Sequence, residues 1–316
     1  MNNFLAVLNF SLSITLPIFL IILLGVVLKA YRVINDNFVD VSSKLVFNVT
    51  LPALLFISIL KTDLSGSVNF SLALFGIASV TLTYLVFELL ARYLVAKKAD
   101  RGVVIQGAFR SNMGIIGLAY CVNAYGDDVF AIASIYLAGV TTLFNILSVI
   151  TLNKSLGQGV SLSNTIKGIA KNPLILSILM AVIISSLNIK LPDTLLQTGA
   201  YFAQMTLPLA LLCAGATLSF RSVKEGMSLS IMATIAKLLI TPFTLTLGGY
   251  LFGFRGMELG VLFLMSSAPS ASVSYIVVRS MGGNAGLAAN IIVLTTLMSL
   301  LTTSIGITFL RSINLI

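Results

Sequence analysis

The chain has no histidine, two cysteines and few charges: charged residues make up 9% of its 316 residues and hydrophobic residues 58%. A soluble domain carries about 25% charged residues, so a shortage this large excludes a water-soluble globular protein and points to a polytopic membrane protein. Without histidine, the commonest metal ligand and general base is missing. Cys121 and Cys213 each lie in an apolar stretch and have no zinc spacing. No GxxxxGK[ST] and no HExxH occurs, which removes an ATP-driven pump and a zinc protease. A Ser/Lys dyad using Lys237 stays formally open for an intramembrane protease, but no motif accompanies it.

The net charge is +9 at pH 7. Nucleic acid is not the expected partner, because basic residues collect in the cytoplasmic loops of membrane proteins. A helix needs about 20 apolar residues to cross a bilayer. Ten such runs are expected, near 11–29, 39–60, 69–95, 102–124, 128–152, 172–189, 194–218, 228–253, 257–280 and 285–310. The first run has no basic residue before it, with Lys29 and Arg32 after it, and reads as a retained span rather than a signal peptide. With the N-terminus outside, about 13 cations fall inside and 4 outside. Both termini are then outside. Arg110 and Lys237 fit neither set, because each falls within a span.

The halves align at one offset. Pro17 and Pro173, Pro52 and Pro208, and Gly126 and Gly282 are each 156 positions apart, and Thr50-Leu51-Pro52 repeats as Thr206-Leu207-Pro208. Five spans per half is an odd number, so the second half crosses upside down. The expected fold is all-α, with ten transmembrane helices in two inverted five-helix repeats: residues 1–155, a cytoplasmic linker at 156–171, and residues 172–316. Inverted repeats are typical of secondary transporters, and interrupted spans at matching positions point to the binding site. Spans 4 and 9 are the interrupted pair, at Arg110-Ser111-Asn112-Met113-Gly114 and Ser266-Ser267-Ala268-Pro269-Ser270.

The candidate site residues follow. Arg110 lies roughly 12 Å into span 4; it either attracts a carboxylate with its planar fork or snorkels to the surface. Asn112 can bond a solute or cap a half-helix. Ser111, Ser267, Ser270 and Ser272 are hydroxyl candidates, or small residues at tight helix contacts. Gly114 loosens the helix, and Pro269 removes an N–H and opens span 9. Asn145 follows the interrupted helix in the next span; Asn290 is a second buried amide. Lys237 lies roughly 13 Å into span 8. It contacts substrate, replaces a coupling cation or ties span 8 to the interrupted helices. Glu88 is expected to pair with Arg92 one turn on. The positive N-termini of the half-helices, with Arg110, favour an anion.

FRSNMGIIGLAY followed by YGDD, then KNPLILSILM, AKLLITP and SSAPSAS, resembles the bacterial auxin efflux carrier family over nearly the whole chain. The resemblance implies interrupted helices 4 and 9 crossing near the membrane centre. It also implies a scaffold of helices 1, 2, 6 and 7 and a transport domain of helices 3–5 and 8–10. Relatives include plant auxin exporters and carriers of malonate and malate, and bile acid sodium symporters share the architecture. The implied function is a secondary carrier of small organic anions, in a bacterial inner membrane. No cofactor is expected. Coupling to H+ or Na+, cation/proton antiport, ligand reception and homodimer formation stay open. Where many relatives have proline after the span 4 glycine, Gly117 is followed by Leu118, which makes that break depend on glycine.

Overall fold

A computed structural model describes residues 2–61, 70–157, 173–187, 189, 191–218 and 226–316. Among these the secondary structure is all helical, with one isolated antiparallel bridge and no strand. In chain order α1 is Asn2–Ala30, α2 Asp36–Leu45, α3 Leu51–Lys61, α4 Ser71–Leu94, α5 Lys98–Phe109, α6 Leu118–Tyr125 and α7 Phe130–Leu156. There follow α8 Pro173–Ser186, α9 Asp193–Ala216, α10 Met227–Ile235, α11 Thr241–Phe252, α12 Gly256–Ser267, α13 Val273–Ser280 and α14 Ala285–Ser312. Three π-helical turns lie among them: Val46–Thr50 joins α2 to α3, Met113–Gly117 leads into α6, and Ala236–Ile240 joins α10 to α11.

Among the described residues seven stretches are long and apolar enough to cross a membrane: Leu12–Ala30, Asp36–Leu60, Ser71–Leu94, Met113–Leu156, Asp193–Ala216, Met227–Phe252 and Ala285–Ser312. Pro173–Ser186 and Gly256–Ser267 are apolar but shorter. The chain is therefore a multi-pass membrane protein. The count by unbroken length differs from the ten runs of the sequence for a physical reason. The break at 268–272 cuts the run at 257–280 short, and the runs at 102–124 and 128–152 are counted together as Met113–Leu156, which turns at Gly126, whose φ of 68° suits glycine. The expected linker at 156–171 lies, beyond Gly157, outside the described residues. So do Lys167, Lys171, Lys190, Arg221 and Lys224.

Local signals set several ends. The Asn35 side chain accepts from Phe38 N at 2.8 Å and caps α2. Asn284 accepts from Leu287 N at 3.1 Å, caps α14, and donates to Asp100 Oδ1 at 3.0 Å near the start of α5. Helices α1 and α9 pack along one another, with Gly25 against the Leu212 carbonyl and Gly215 against the Ile22 carbonyl. A side chain at either glycine would meet backbone, so the helices approach as closely as glycine permits. α5 lies against α7 and α4, and α10 against α14 and α5. This second group surrounds the two breaks.

Candidate functional site

The first break runs from Arg110 to Asn112, between α5 and the π-helical turn before α6. Arg110 is extended (φ −84°, ψ 104°). The second follows Ser267, where Ala268 turns to φ −57°, ψ 142° ahead of Pro269. Ser111 and Ser270 pair across the gap as an antiparallel bridge. Asn112 N donates to the Pro269 carbonyl at 2.7 Å, and Ala271 N donates to the Arg110 carbonyl at 3.2 Å. A two-strand contact this short would not persist alone in water; here buried residues enclose it.

Ending a helix inside a protein leaves carbonyls without intrahelical partners. At the end of α5, Gly107 O accepts from Ser270 Oγ at 2.6 Å and Ala108 O from Thr241 Oγ1 at 3.1 Å. At the end of α12, Ser266 O accepts from Lys237 Nζ at 2.7 Å, and Ser267 O receives a long contact of 3.5 Å from Thr303 Oγ1. Ser270 N donates to Thr295 Oγ1 at 3.1 Å. Each break is thus capped by the other break, by α11 and α14, or by the turn between α10 and α11.

Lys237 is fully buried in the π-helical turn between α10 and α11. Its ammonium also lies 2.5 Å from Ser111 Oγ, so one side chain bonds to both interrupted stretches. The Ser266 carbonyl belongs to the negative end of α12, a favourable place for a cation.

Arg110 is 6% exposed. Its Nη2 donates to Asn145 Oδ1 at 2.7 Å and its Nη1 to Ser148 Oγ at 3.1 Å, both on α7. The side chain is held within the helix packing and does not snorkel. Neither ion pair among the described residues involves Arg110 or Lys237. Gln106, one turn before Arg110 on α5, is 1% exposed, and neither its Nε2 nor its Oε1 has a hydrogen-bond partner. Leaving such a group unpaired costs about 1–3 kcal/mol per unsatisfied donor or acceptor.

The structure thus gathers Arg110, Ser111, Asn112, Asn145, Ser267, Pro269, Ser270 and Lys237 around one junction. Ser267 Oγ is buried without a partner. Ser272 stands apart: it is partly exposed just before α13 and makes no hydrogen bond with the others. Gly114 sits in the π-helical turn facing Leu51 and Leu137. The expectation that glycine makes the first break is corrected. The break lies upstream of both Gly114 and Gly117, and a Cβ at Gly117 would meet Met265 and Ala268, so that glycine serves close packing against α12. A second correction concerns Glu88, which pairs with Lys154 on α7 at 2.5 Å rather than with Arg92. Thr151 donates to its other oxygen at 3.0 Å. Gln106, Ser148, Thr241 and Thr295 were not singled out in the sequence. Only Gln106 offered a signal there, as an amide in an apolar run four residues before Arg110. Among the described residues no cluster of acidic or cysteine side chains is placed to hold a metal ion.

An all-helical, multi-pass chain with a buried cationic junction defines a membrane protein whose polar chemistry is internal. Residues 11–307 match the family described as membrane transport protein, and the chain belongs to that family, the auxin efflux carriers. It is similar to an uncharacterized transporter of Methanothermobacter thermautotrophicus, 26% identical over 92% of this chain and 95% of that one. A similar protein of Methanocaldococcus jannaschii, also an uncharacterized transporter, is 23% identical over 92% of this chain and 96% of its own length. The uncharacterized transporter YfdV of Escherichia coli is 25% identical over 90% of this chain and 94% of its own length.

Proposed function

We propose that the protein is a secondary carrier of small organic anions, mono- or dicarboxylates, working by alternating access. One observation carries this reading. Arg110 is a buried guanidinium whose partners are an amide and a hydroxyl, with an unpaired amide, Gln106, one turn away. A buried charge left uncompensated costs several kcal/mol. A carboxylate would offset that cost, accept two parallel N–H bonds from the planar fork and give Gln106 Nε2 an acceptor.

The ten-helix inverted repeat is part of the same proposal. α5 and α12 have 12 residues each, and α6 and α13 have 8 each, with a break inside both pairs. Gly126 and Gly282, 156 positions apart (282 − 126), both have positive φ, 68° and 76°. The packing of α1 on α9, and of α3 on α8 and α9, fits a scaffold. The packing of α4 to α7 with α10 to α14 fits a transport domain in which the interrupted helices cross. We place the carrier in the inner membrane with both termini outside.

Lys237 bears on coupling. Its ammonium occupies a position between a hydroxyl and a carbonyl, oxygen ligands that would also suit a sodium ion. We infer that this internal cation stands in place of a coupling sodium, so replacing sodium with choline leaves transport unchanged.

The test is counterflow in proteoliposomes loaded with one unlabelled acid, with the same labelled acid outside. Accumulation above protein-free vesicles is expected for at least one carboxylate and is lost in Arg110→Gln. No counterflow for any of a panel of mono- and dicarboxylates, or full activity of Arg110→Gln with its substrate, overturns the reading.

A further inference from the structure

A second cationic site lies away from the junction. Where the C-terminal end of α4, the N-terminal end of α5 and the C-terminal end of α7 meet, a cavity of about 220 Å³ is lined by Arg92, Lys98, Arg101 and Lys154, with one carboxylate, Glu88. Nearby Asp100 does not line it and accepts from Asn284 instead. Four cationic residues line one small space, and a cleft of one sign concentrates counter-ions. Among the described residues only Lys154 of the four forms an ion pair, with Glu88. Arg101 is anchored by Nε to the Val95 carbonyl at 2.8 Å, and its terminal nitrogens make no other hydrogen bond among the described residues.

A line of polar residues on α7 runs from the junction toward the cavity. Asn145 and Ser148 hold Arg110, and Thr151, one turn on, holds Glu88 and lines the cavity. These three polar residues lie three apart on one side of the helix. From Arg101 to Arg110 along α5 is roughly 13 Å. A site for lipid headgroups alone would not call for this inward line of polar groups. Glu88 is itself a carboxylate of the chain lying among the cations, held as a soluble carboxylate would be.

We propose that this cavity is a docking site for small soluble oxyanions, carboxylate or phosphate, and that it receives the transported anion before the anion reaches Arg110. The docking role rests on the carrier reading above; binding at the cavity does not. Glu88 competes with the incoming anion for Lys154 and yields it when the anion arrives.

Thermal unfolding of the purified protein tests this, followed with a thiol-reactive dye that reports exposure of the buried Cys121 and Cys213. The probes are malonate, inorganic phosphate and, separately, phosphatidylglycerol in mixed micelles. In an Arg110→Gln background, malonate or phosphate is expected to raise the unfolding temperature in a saturable way. Adding Lys98→Gln and Arg101→Gln shifts the half-saturating concentration up by about tenfold, the scale set by charge-assisted hydrogen bonds. Adding Glu88→Gln instead lowers it by roughly threefold, by releasing Lys154 from its ion pair. Opposite shifts from two substitutions in one cavity separate ligand competition from general damage. Loss of all protection in Arg110→Gln alone, an unchanged midpoint in the Lys98/Arg101 variant, weaker binding in Glu88→Gln, or protection by phosphatidylglycerol only would each overturn the proposal. If Arg110→Gln transports normally, the carrier reading fails while binding at the cavity is still measured.

Discussion

Lys237 and Ser111 lie 126 residues apart in the chain, yet the ammonium of one is 2.5 Å from the hydroxyl of the other. The same ammonium bonds the Ser266 carbonyl at 2.7 Å, so a single side chain holds the ends of two interrupted helices. Replacing Lys237 with methionine keeps the apolar stem and removes the charge. It leaves a buried carbonyl and hydroxyl short of a donor. Hydrogen bonds to charged groups contribute about 1.5–3 kcal/mol each. We expect a clear fall in unfolding temperature together with loss of counterflow. Wild-type values of both would show that the ammonium neither braces the junction nor takes part in transport.

Asn145→Asp places a carboxylate where an amide oxygen now lies 2.7 Å from the Arg110 guanidinium. The charge that we assign to the substrate is then supplied by the protein itself. Folding is expected to be unharmed or improved, because a buried cation gains an opposite charge. Transport is expected to fall by at least about tenfold, since the anion must displace an internal competitor worth 1.4 kcal/mol or more. Proteoliposome counterflow and thermal unfolding measured on the same preparation check both signs.

Gln106→Leu removes an amide whose two polar atoms are buried without partners. A residue kept only for packing would be improved by the change, by about 1–3 kcal/mol. We expect a higher unfolding temperature and a weaker apparent affinity for the transported acid, which is the signature of a group held unsatisfied for a ligand. A stabilised variant with unchanged KM would remove Gln106 from the site.

Gly215→Leu tests the seam between α1 and α9. A Cβ there collides with the Ile22 carbonyl, a backbone group that no rotamer change can move aside. Overpacking of this kind costs about 1–3 kcal/mol. Reduced yield of folded protein on size-exclusion chromatography is expected. Gly253→Ala makes a contrast, because nothing lies within 4 Å of a Cβ there and only its φ of 105° opposes the change.

Much of this was legible in the sequence. Apolar run length marked the membrane stretches, and the polar cluster around Arg110 and Pro269 marked both breaks, because a bilayer tolerates neither charge nor freed backbone without a reason. The partners of those residues were harder to read. Ser148 and Thr241 are ordinary hydroxyls in apolar helices, and nothing along the chain tells which of many such groups faces an arginine or a carbonyl. The Glu88 partner was misread for a related reason: Arg92 is close in sequence, whereas Lys154 is brought near only by the packing of α7 on α4. The role of Gly117 in the first break was misread because glycines signal weakness in a helix without saying whether that weakness is used for bending or for close approach.

The bridge between Ser111 and Ser270 is made by main-chain groups, from Asn112 N to Pro269 O and from Ala271 N to Arg110 O. Ordinary substitutions cannot delete those groups; at positions 112 and 271 only proline could. The joint can therefore outlast wide drift in the residues that form it, while the side chains that hold the Arg110 guanidinium, at 145 and 148, remain free to change. A transporter built this way can be retuned toward a different solute without rebuilding the bridge itself. The same property makes sequence identity with a relative a poor guide to what that relative carries.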